Sequence, residues 1–353
     1  MVSEFKQIKA INVCIAGATG YAGEELISIL LCHPHARVVG VFSRSDTPMP
    51  IEEIYPKFKN RTNLKCQQLE IAGMLKADLI FLALPHTASM EFVPRLLAKG
   101  KRVIDLSADY RLKNSRVYEA AYKHKHTDAL NLRKAVYGLP ELYRLNIKKA
   151  SLVANPGCYP TAAILAVAPL LALGMAEPDS IIIDAKSGVT GAGRKAGDAF
   201  FYSEINEDFR AYKINNHQHM PEINQELSKL NRDKVEVTFV PHLLPINRGI
   251  LETIYVRKNN KATKSPRDKV TGSRIIEIYK RFYKSEPFVR VRAEGDFPKI
   301  KDVVGTNFCD IGIKEEKDKV IIVSAIDNLV KGAAGQAVQN MNIMCGFPEA
   351  AGL

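Results

Sequence analysis

The 353-residue sequence has no CxxC pair, no cysteine cluster at zinc-ligand spacing, no apolar run of about 20 residues and no internal repeat. The six cysteines, at positions 14, 32, 66, 158, 309 and 345, are scattered, which argues against a disulfide framework or structural zinc. Without a long apolar run there is no candidate membrane helix. The opening MVSEFKQIKAINVCIAG runs into a strand pattern instead of a signal-peptide core, so a cytoplasmic protein is expected. A single basic, aromatic-interleaved stretch is also missing, although the formal net charge is +12. The cations are spread through KFKNR at 57–61, KHKH at 123–126 and RKNNKATKSPR at 257–267, a distribution that favours small anionic substrates over nucleic acid or a membrane surface.

The composition, 46% hydrophobic and 25% charged, is that of a globular protein with ample core material, and the length favours two domains. INVCIA at 11–16, the turn GATGYAG and the helical EELISILLCH, followed by ARVVGVFS at 36–43, form a βαβ unit. Alternation continues through ADLIFLALP at 77–85, ASMEFVPRLLAKG, RVIDLS at 102–107 and SLVANPG at 151–157, which predicts a doubly wound parallel sheet. The pattern then changes. An Ala/Leu-rich helix is predicted over 159–173, then the strands SIIIDA, VEVTFVP, ILETIYV and VIIVSAI of an α+β domain, a surface loop at 259–273, and a last helix over about 329–344.

Three segments carry chemistry. Gly17, Gly20 and Gly23 stand at the first strand-to-helix turn, where glycines allow a dinucleotide pyrophosphate to approach the helix N-terminus. At the end of the second strand, Ser43 and Arg44 favour the 2′-phosphate of NADP, with Asp46 nearby as a competing signal. Cys158, in Asn155-Pro156-Gly157-Cys158-Tyr159-Pro160, is predicted to begin a helix, where free amides and the helix dipole stabilise a thiolate and can hold an oxyanion. His217 and His219 flank Gln218 ahead of a helix. No third ligand is spaced to complete a metal site, so acid–base work on the thiol or an alkoxide fits better, the bland alternative being two solvated loop histidines. Arg111 in SADYR, Lys186 to Arg194 in KSGVTGAGR, and Arg248 in NRG are candidate anion contacts, each otherwise readable as a solvated loop.

With these residues in place, the chain resembles the N-acetyl-γ-glutamyl-phosphate reductase family, related to aspartate-semialdehyde dehydrogenase and more distantly to glyceraldehyde-3-phosphate dehydrogenase. The resemblance is strongest at VANPGCYPTAAILAVAP (153–169) and extends in order through GATGYAG, SADYRL, KSGVTGAGR, NHQHMPEI, VPHLLPINRGI and DNLVKGAAGQA. It implies a Rossmann-type doubly wound parallel domain of residues 1–157 plus 329–353, rejoined by the C-terminal helix, and an α+β catalytic and dimerisation domain of residues 158–328. It implies Cys158 as nucleophile, His219 as the acid–base group with His217 beside it as the other catalytic candidate, and Arg111, Asn155, Arg194 and Arg248 in the substrate pocket. NADP contacts are implied for Gly17, Thr19, Gly20, Tyr21, Gly23, Ser43, Arg44, Pro85, Ser187, Gly188 and Asn328, with no metal and a homodimer or homotetramer. The implied reaction is NADPH-dependent conversion of N-acetyl-glutamyl phosphate to the semialdehyde in arginine synthesis. Gln218 departs from the arginine that similar enzymes often carry. The alternatives are an aminoadipyl-phosphate reductase, an aspartate-semialdehyde dehydrogenase, or a non-catalytic redox-sensing relative that binds NADP.

Overall fold

The computed structural model describes residues 9–44, 48–194, 197–231, 233–259 and 272–353; Asp46 and most of the 259–273 segment lie outside them. The described chain divides into two compact units, one of residues up to 115, 125–155 and 334–353, the other of residues 116–124 and 156–333. The short excursion 116–124, which the sequence reading leaves in the first domain, packs with the second unit.

Among the described residues, the first unit has strands β1 (Ile11–Ala16), β2 (Ala36–Ser43), β3 (Met49–Pro50), β4 (Lys65–Gln68), β5 (Leu79–Leu82), β6 (Arg102–Asp105), β7 (Val136–Tyr137) and β8 (Leu152–Ala154). They form one sheet in the order β3-β4-β2-β1-β5-β6-β8-β7, parallel throughout except for the β3–β4 edge pair. Because helices cover a parallel sheet, its strands read as continuous apolar runs, and all four residues of Leu79–Leu82 are buried. The C-terminal helix Gly335–Cys345 returns to this unit, where Ala337, Val338 and Met341 join Leu26, Ile27 and Leu30 of the helix Tyr21–Leu30 in one core.

The second unit is built on β9 (Ile182–Gly188), β10 (Arg210–Ala211), β11 (Thr238–Leu244), β12 (Ile250–Arg257), β13 (Val289–Val291), β14 (Cys309–Glu315) and β15 (Lys319–Ile326), ordered β10-β11-β9-β12-β15-β14-β13. The sheet is mixed: β11–β9 and β13–β14 are parallel and the other pairs antiparallel. The helix Cys158–Ala172 packs on β12 and β15 and against the helix Met220–Leu230. It is apolar all round and buried from Tyr159 to Leu171, the pattern of a central helix. Pro160 is tolerated because the first four amides of a helix have no partner within it.

The last helix begins differently from the sequence expectation. A wide π turn spans Val330–Ala334 before the α-helix starts at Gly335, and the Gly332 N–H reaches back five residues to the Asp327 carbonyl at 2.8 Å. The turn passes directly over the nucleophile candidate, since a Cβ on Gly332 would lie 2.8 Å from Cys158 Cβ.

Candidate active site

In the first unit, β1 delivers the chain into a turn that only glycine can make. Gly17 has φ +86°, and a Cβ there would sit 2.1 Å from the Ala83 carbonyl oxygen; one on Gly23 would sit 2.2 Å from the Gly17 oxygen. The Gly17 and Ala18 N–H groups both donate to the Phe42 carbonyl, at 2.8 and 3.0 Å. Gly20 caps the ten-residue helix Tyr21–Leu30 with no side chain over the cap, so the first-turn amides face outward toward any anion. The cradle therefore fits a pyrophosphate. Thr19 and Ser43 are joined hydroxyl to hydroxyl at 3.0 Å, which fastens the turn to the end of β2. Arg44 is exposed beside it and pairs with Glu91 at 3.2 Å, a contact that water weakens and a ligand phosphate can displace. Tyr55 braces the turn from below, donating to the Ala18 carbonyl at 3.3 Å. Pro85 is exposed in the segment after β5.

Nearby in the same unit, the SADYR segment is held by buried carboxylates. Asp105 accepts from the Ser89 and Ser107 hydroxyls at 2.6 and 2.7 Å, and Asp109 accepts the Thr87 and Ser89 amides at 2.7 and 2.9 Å. Burial, and then Asp109, push Asp105 up to about 7. Arg111 donates to the Asn155 carbonyl at 2.7 Å and the Leu106 carbonyl at 2.8 Å, and Asn155 accepts from Asn340 at 3.1 Å. The two sequence-predicted substrate residues of this unit thus lie together, with Arg111 turned onto backbone carbonyls.

In the second unit, Cys158 is the first residue of its helix, behind an extended Gly157. The Gly157 N–H donates to Glu222 at 2.8 Å, and the Thr161 amide and hydroxyl both donate to the Gly157 carbonyl at 3.0 and 2.9 Å. With Gly157 fixed from both sides, the amides of the following turn favour negative charge on the Cys158 sulfur. The His219 imidazole lies flat against Gly157: a Cβ there would come within 2.6 Å of Nε2 and 2.9 Å of Cδ2 and Cε1. His217 stands 4.8 Å from His219, centroid to centroid, and its Nδ1 accepts the His219 backbone N–H at 3.1 Å, which leaves Nε2 to carry the proton of the neutral ring. Tyr159, Tyr212 and Phe239 wall His217 edge-on, each with its centroid 5.6 Å from that ring. Burial, and then Tyr212, push the Tyr159 phenol well above its ordinary range, so it remains a donor.

Burial and then Lys213 push His217 down from 6.5 to about 4, so the ring is neutral at physiological pH. The unfolded chain takes up this proton near pH 6.5, and the folded ring refuses it until about pH 4. Stability therefore falls as pH drops through that window. Thermal melts from pH 7 to 4.5 are expected to show a midpoint slope that His217→Gln reduces; an unchanged slope would contradict the burial argument.

A third group of predicted residues gathers at the end of β9. Asn328 accepts the Gly249 N–H at 2.7 Å and donates to Thr190 at 3.0 Å. A Cβ on Gly191 would meet the Ser187 hydroxyl at 2.9 Å, and one on Gly188 would meet the Ile246 and Asn247 carbonyls at 2.8 Å. Arg248 pairs with the buried Asp327, 3.0 Å from Nε to Oδ2, while Asp327 also accepts the amides of Gly305, Leu329 and Val330. Arg194 is exposed at the edge of the described residues. Sequence reasoning missed Glu222, Gly332 and Asp327. Glu222 looks like an ordinary first-turn acid, and only the fold shows its carboxylate on Gly157. Among the described residues no group of three His, Cys, Asp or Glu is arranged to hold a metal, and no helix is long and apolar enough to cross a membrane.

Two family models match the chain: "Semialdehyde dehydrogenase, NAD binding domain" over residues 12–150 and "Semialdehyde dehydrogenase, dimerisation domain" over residues 158–328. The N-acetyl-gamma-glutamyl-phosphate reductases of Desulfotalea psychrophila and Geobacter metallireducens are each 50% identical over 347 residues, 97% of this chain and 98% of theirs. Among solved structures, aspartate semialdehyde dehydrogenase II of Vibrio cholerae, complexed with ASA, superposes with TM-score 0.70 at 17% identity, over 95% of this chain and 98% of that one. The Candida albicans aspartate semialdehyde dehydrogenase with NADP gives 0.68 at 15% identity, over 95% and 98%. At these identities the structural likeness speaks for the fold, a Rossmann-like parallel sheet with a second sheet domain.

Proposed function

The chain belongs to the N-acetyl-gamma-glutamyl-phosphate reductase family, and from that premise we propose that it reduces N-acetyl-glutamyl phosphate to the semialdehyde, a step of arginine synthesis, in the cytoplasm. The observation that carries the mechanism is His219 seated on Gly157, at the head of the helix that Cys158 begins. The Cys158 sulfur attacks the acyl-phosphate carbon, the bond to the phosphate oxygen breaks, and an enzyme thioester remains. The helix-start amides stabilise the oxyanion formed during attack, and His219 Nε2 takes the thiol proton and later returns one to the alkoxide oxygen; the resulting thiohemiacetal gives that proton back as its carbon–sulfur bond breaks, releasing the semialdehyde and the Cys158 thiolate. His217, neutral and hydrogen-bonded to the His219 backbone, keeps the loop and its partner in place. When bound, NADPH supplies the hydride that reduces the thioester. Arg111, Arg194, Arg248 and Asn155 are proposed to serve the phosphate and substrate, with Ser187, Gly188, Asn328 and Pro85 on the cofactor side. Residues 1–157 with 329–353 form the proposed nucleotide domain and 158–328 the proposed catalytic domain, assembled as a homodimer or homotetramer.

The choice of NADP rests on Ser43 and Arg44 at the end of β2. Arg44→Glu is expected to weaken NADPH binding by about 10–100-fold, the effect of losing a hydrogen bond to a charged group, and to leave NADH binding nearly unchanged. Fluorescence titration of both cofactors measures this; equal losses would contradict the assignment. The reaction itself is tested in the oxidative direction, by following NADP⁺ reduction with phosphate and N-acetyl-glutamate semialdehyde, aspartate semialdehyde or N-acetyl-aminoadipate semialdehyde. Phosphate-dependent preference for the first is expected, and preference for either other aldehyde would move the protein to a sister activity.

A further inference from the structure

The second unit contains a groove of about 400 Å³ between the helix Ser115–Tyr122 and the histidine loop that leads into Met220–Leu230. We propose that this groove takes the free carboxylate and acylamino group of the substrate, a specificity site distinct from the reacting centre; the proposal rests on the reductase reading above.

One face of the short helix lines the groove, because Arg116, Val117, Ala120 and Ala121 fall at helical spacing, and Lys123 follows at φ 54°. The helix is anchored from its other side by Tyr118, fully buried and stacked on Tyr122 at 4.9 Å. The facing loop is equally fixed. Asn215, at φ 51°, exchanges two hydrogen bonds with Phe239, accepting its N–H at 2.8 Å and donating its own at 3.0 Å. Lys213 donates to the side chain of Gln218, a lining residue, at 3.1 Å.

Among the described residues no acidic side chain lines this space, whereas Arg116 and Lys123 do, together with the start of an eleven-residue helix whose dipole favours an anion. The first-turn acid of that helix, Glu222, is turned away onto Gly157. Asn216 and Gln218 offer amide donors and acceptors, and Val117, Ala120 and Met220 offer an apolar wall. A carboxylate beside an amide and a methyl group matches that lining, while bare phosphate leaves the wall unused. His217 also lines the groove, and its ring centroid is 4.8 Å from that of His219, which puts the groove next to the proposed acid–base residue.

The test compares Arg116→Ala, Lys123→Ala, the double variant and the groove-filling Ala121→Phe with wild type on N-acetyl-glutamate semialdehyde, on phosphate and on butanal, an aldehyde with neither carboxylate nor amide. The double variant is expected to raise KM for the N-acyl aldehyde about 10–100-fold with kcat within about threefold, and to leave the phosphate KM and the butanal kcat/KM unchanged. Ala121→Phe should give the same rise with all charges present, and Arg116→Lys should restore part of the loss. An unchanged aldehyde KM, a rise confined to phosphate, or an equal loss on butanal would each overturn the assignment. If wild type turns over butanal or another semialdehyde but not the N-acyl substrate, the reductase reading fails first and takes the groove with it.

Discussion

Replacement of Cys158 by alanine is expected to lower phosphate-dependent turnover about 10⁴-fold or more, because the covalent route is lost and residual binding energy and amide donors cannot replace it. The side chain is half-buried at the first position of its helix and takes no part in the cap, which is made by Gly157 and Thr161. The variant should therefore fold, melt close to wild type and bind NADP normally. Turnover measured beside cofactor titration and thermal melting separates a lost nucleophile from a lost fold, and activity within tenfold of wild type would remove Cys158 from the chemistry.

The second large effect falls on a residue with no side chain. Gly157 has φ −69°, so alanine is acceptable to the backbone, yet its Cβ would come within 2.6 Å of His219 Nε2. The imidazole must retreat by about 1 Å, a displacement that costs on the order of 100-fold when it misplaces a reacting group. Gly157→Ala is thus expected to lower kcat about 100-fold while the Glu222 bond and the helix survive. The acid–base role of His219 predicts that the loss lies in kcat; a normal kcat with only a raised KM would show that His219 does not handle the proton.

Much of this was legible in the sequence wherever the signal was local. The glycine turn, the β1 strand and the start of the Cys158 helix are set by neighbours a few residues apart, through φ preference, apolar runs and the proline in the first turn. The supports of the site are not local. Glu222 meets Gly157 across 65 residues, Arg248 meets Asp327 across 79, and Gly332 meets Cys158 through the π turn. Each looks unremarkable in its own stretch: an acid in a first helical turn, an arginine in a loop, a glycine in a small-residue helix. The low pKa of His217 was equally hidden, since it depends on the walls that Tyr159, Tyr212 and Phe239 close around the ring. The segment 116–124 illustrates the same limit, because a short amphipathic helix carries no sign of which unit it packs against.

The central claim, a thioester on Cys158, is tested most directly by mixing the enzyme with N-acetyl-glutamyl phosphate in the absence of NADPH, quenching in acid and weighing the intact protein. One added N-acetyl-glutamyl acyl group per chain, released by neutral hydroxylamine, located on Cys158 by peptide mapping and missing in Cys158→Ala, is the predicted result. An unmodified chain under conditions that support turnover, or an acyl group carried by another residue, would contradict it.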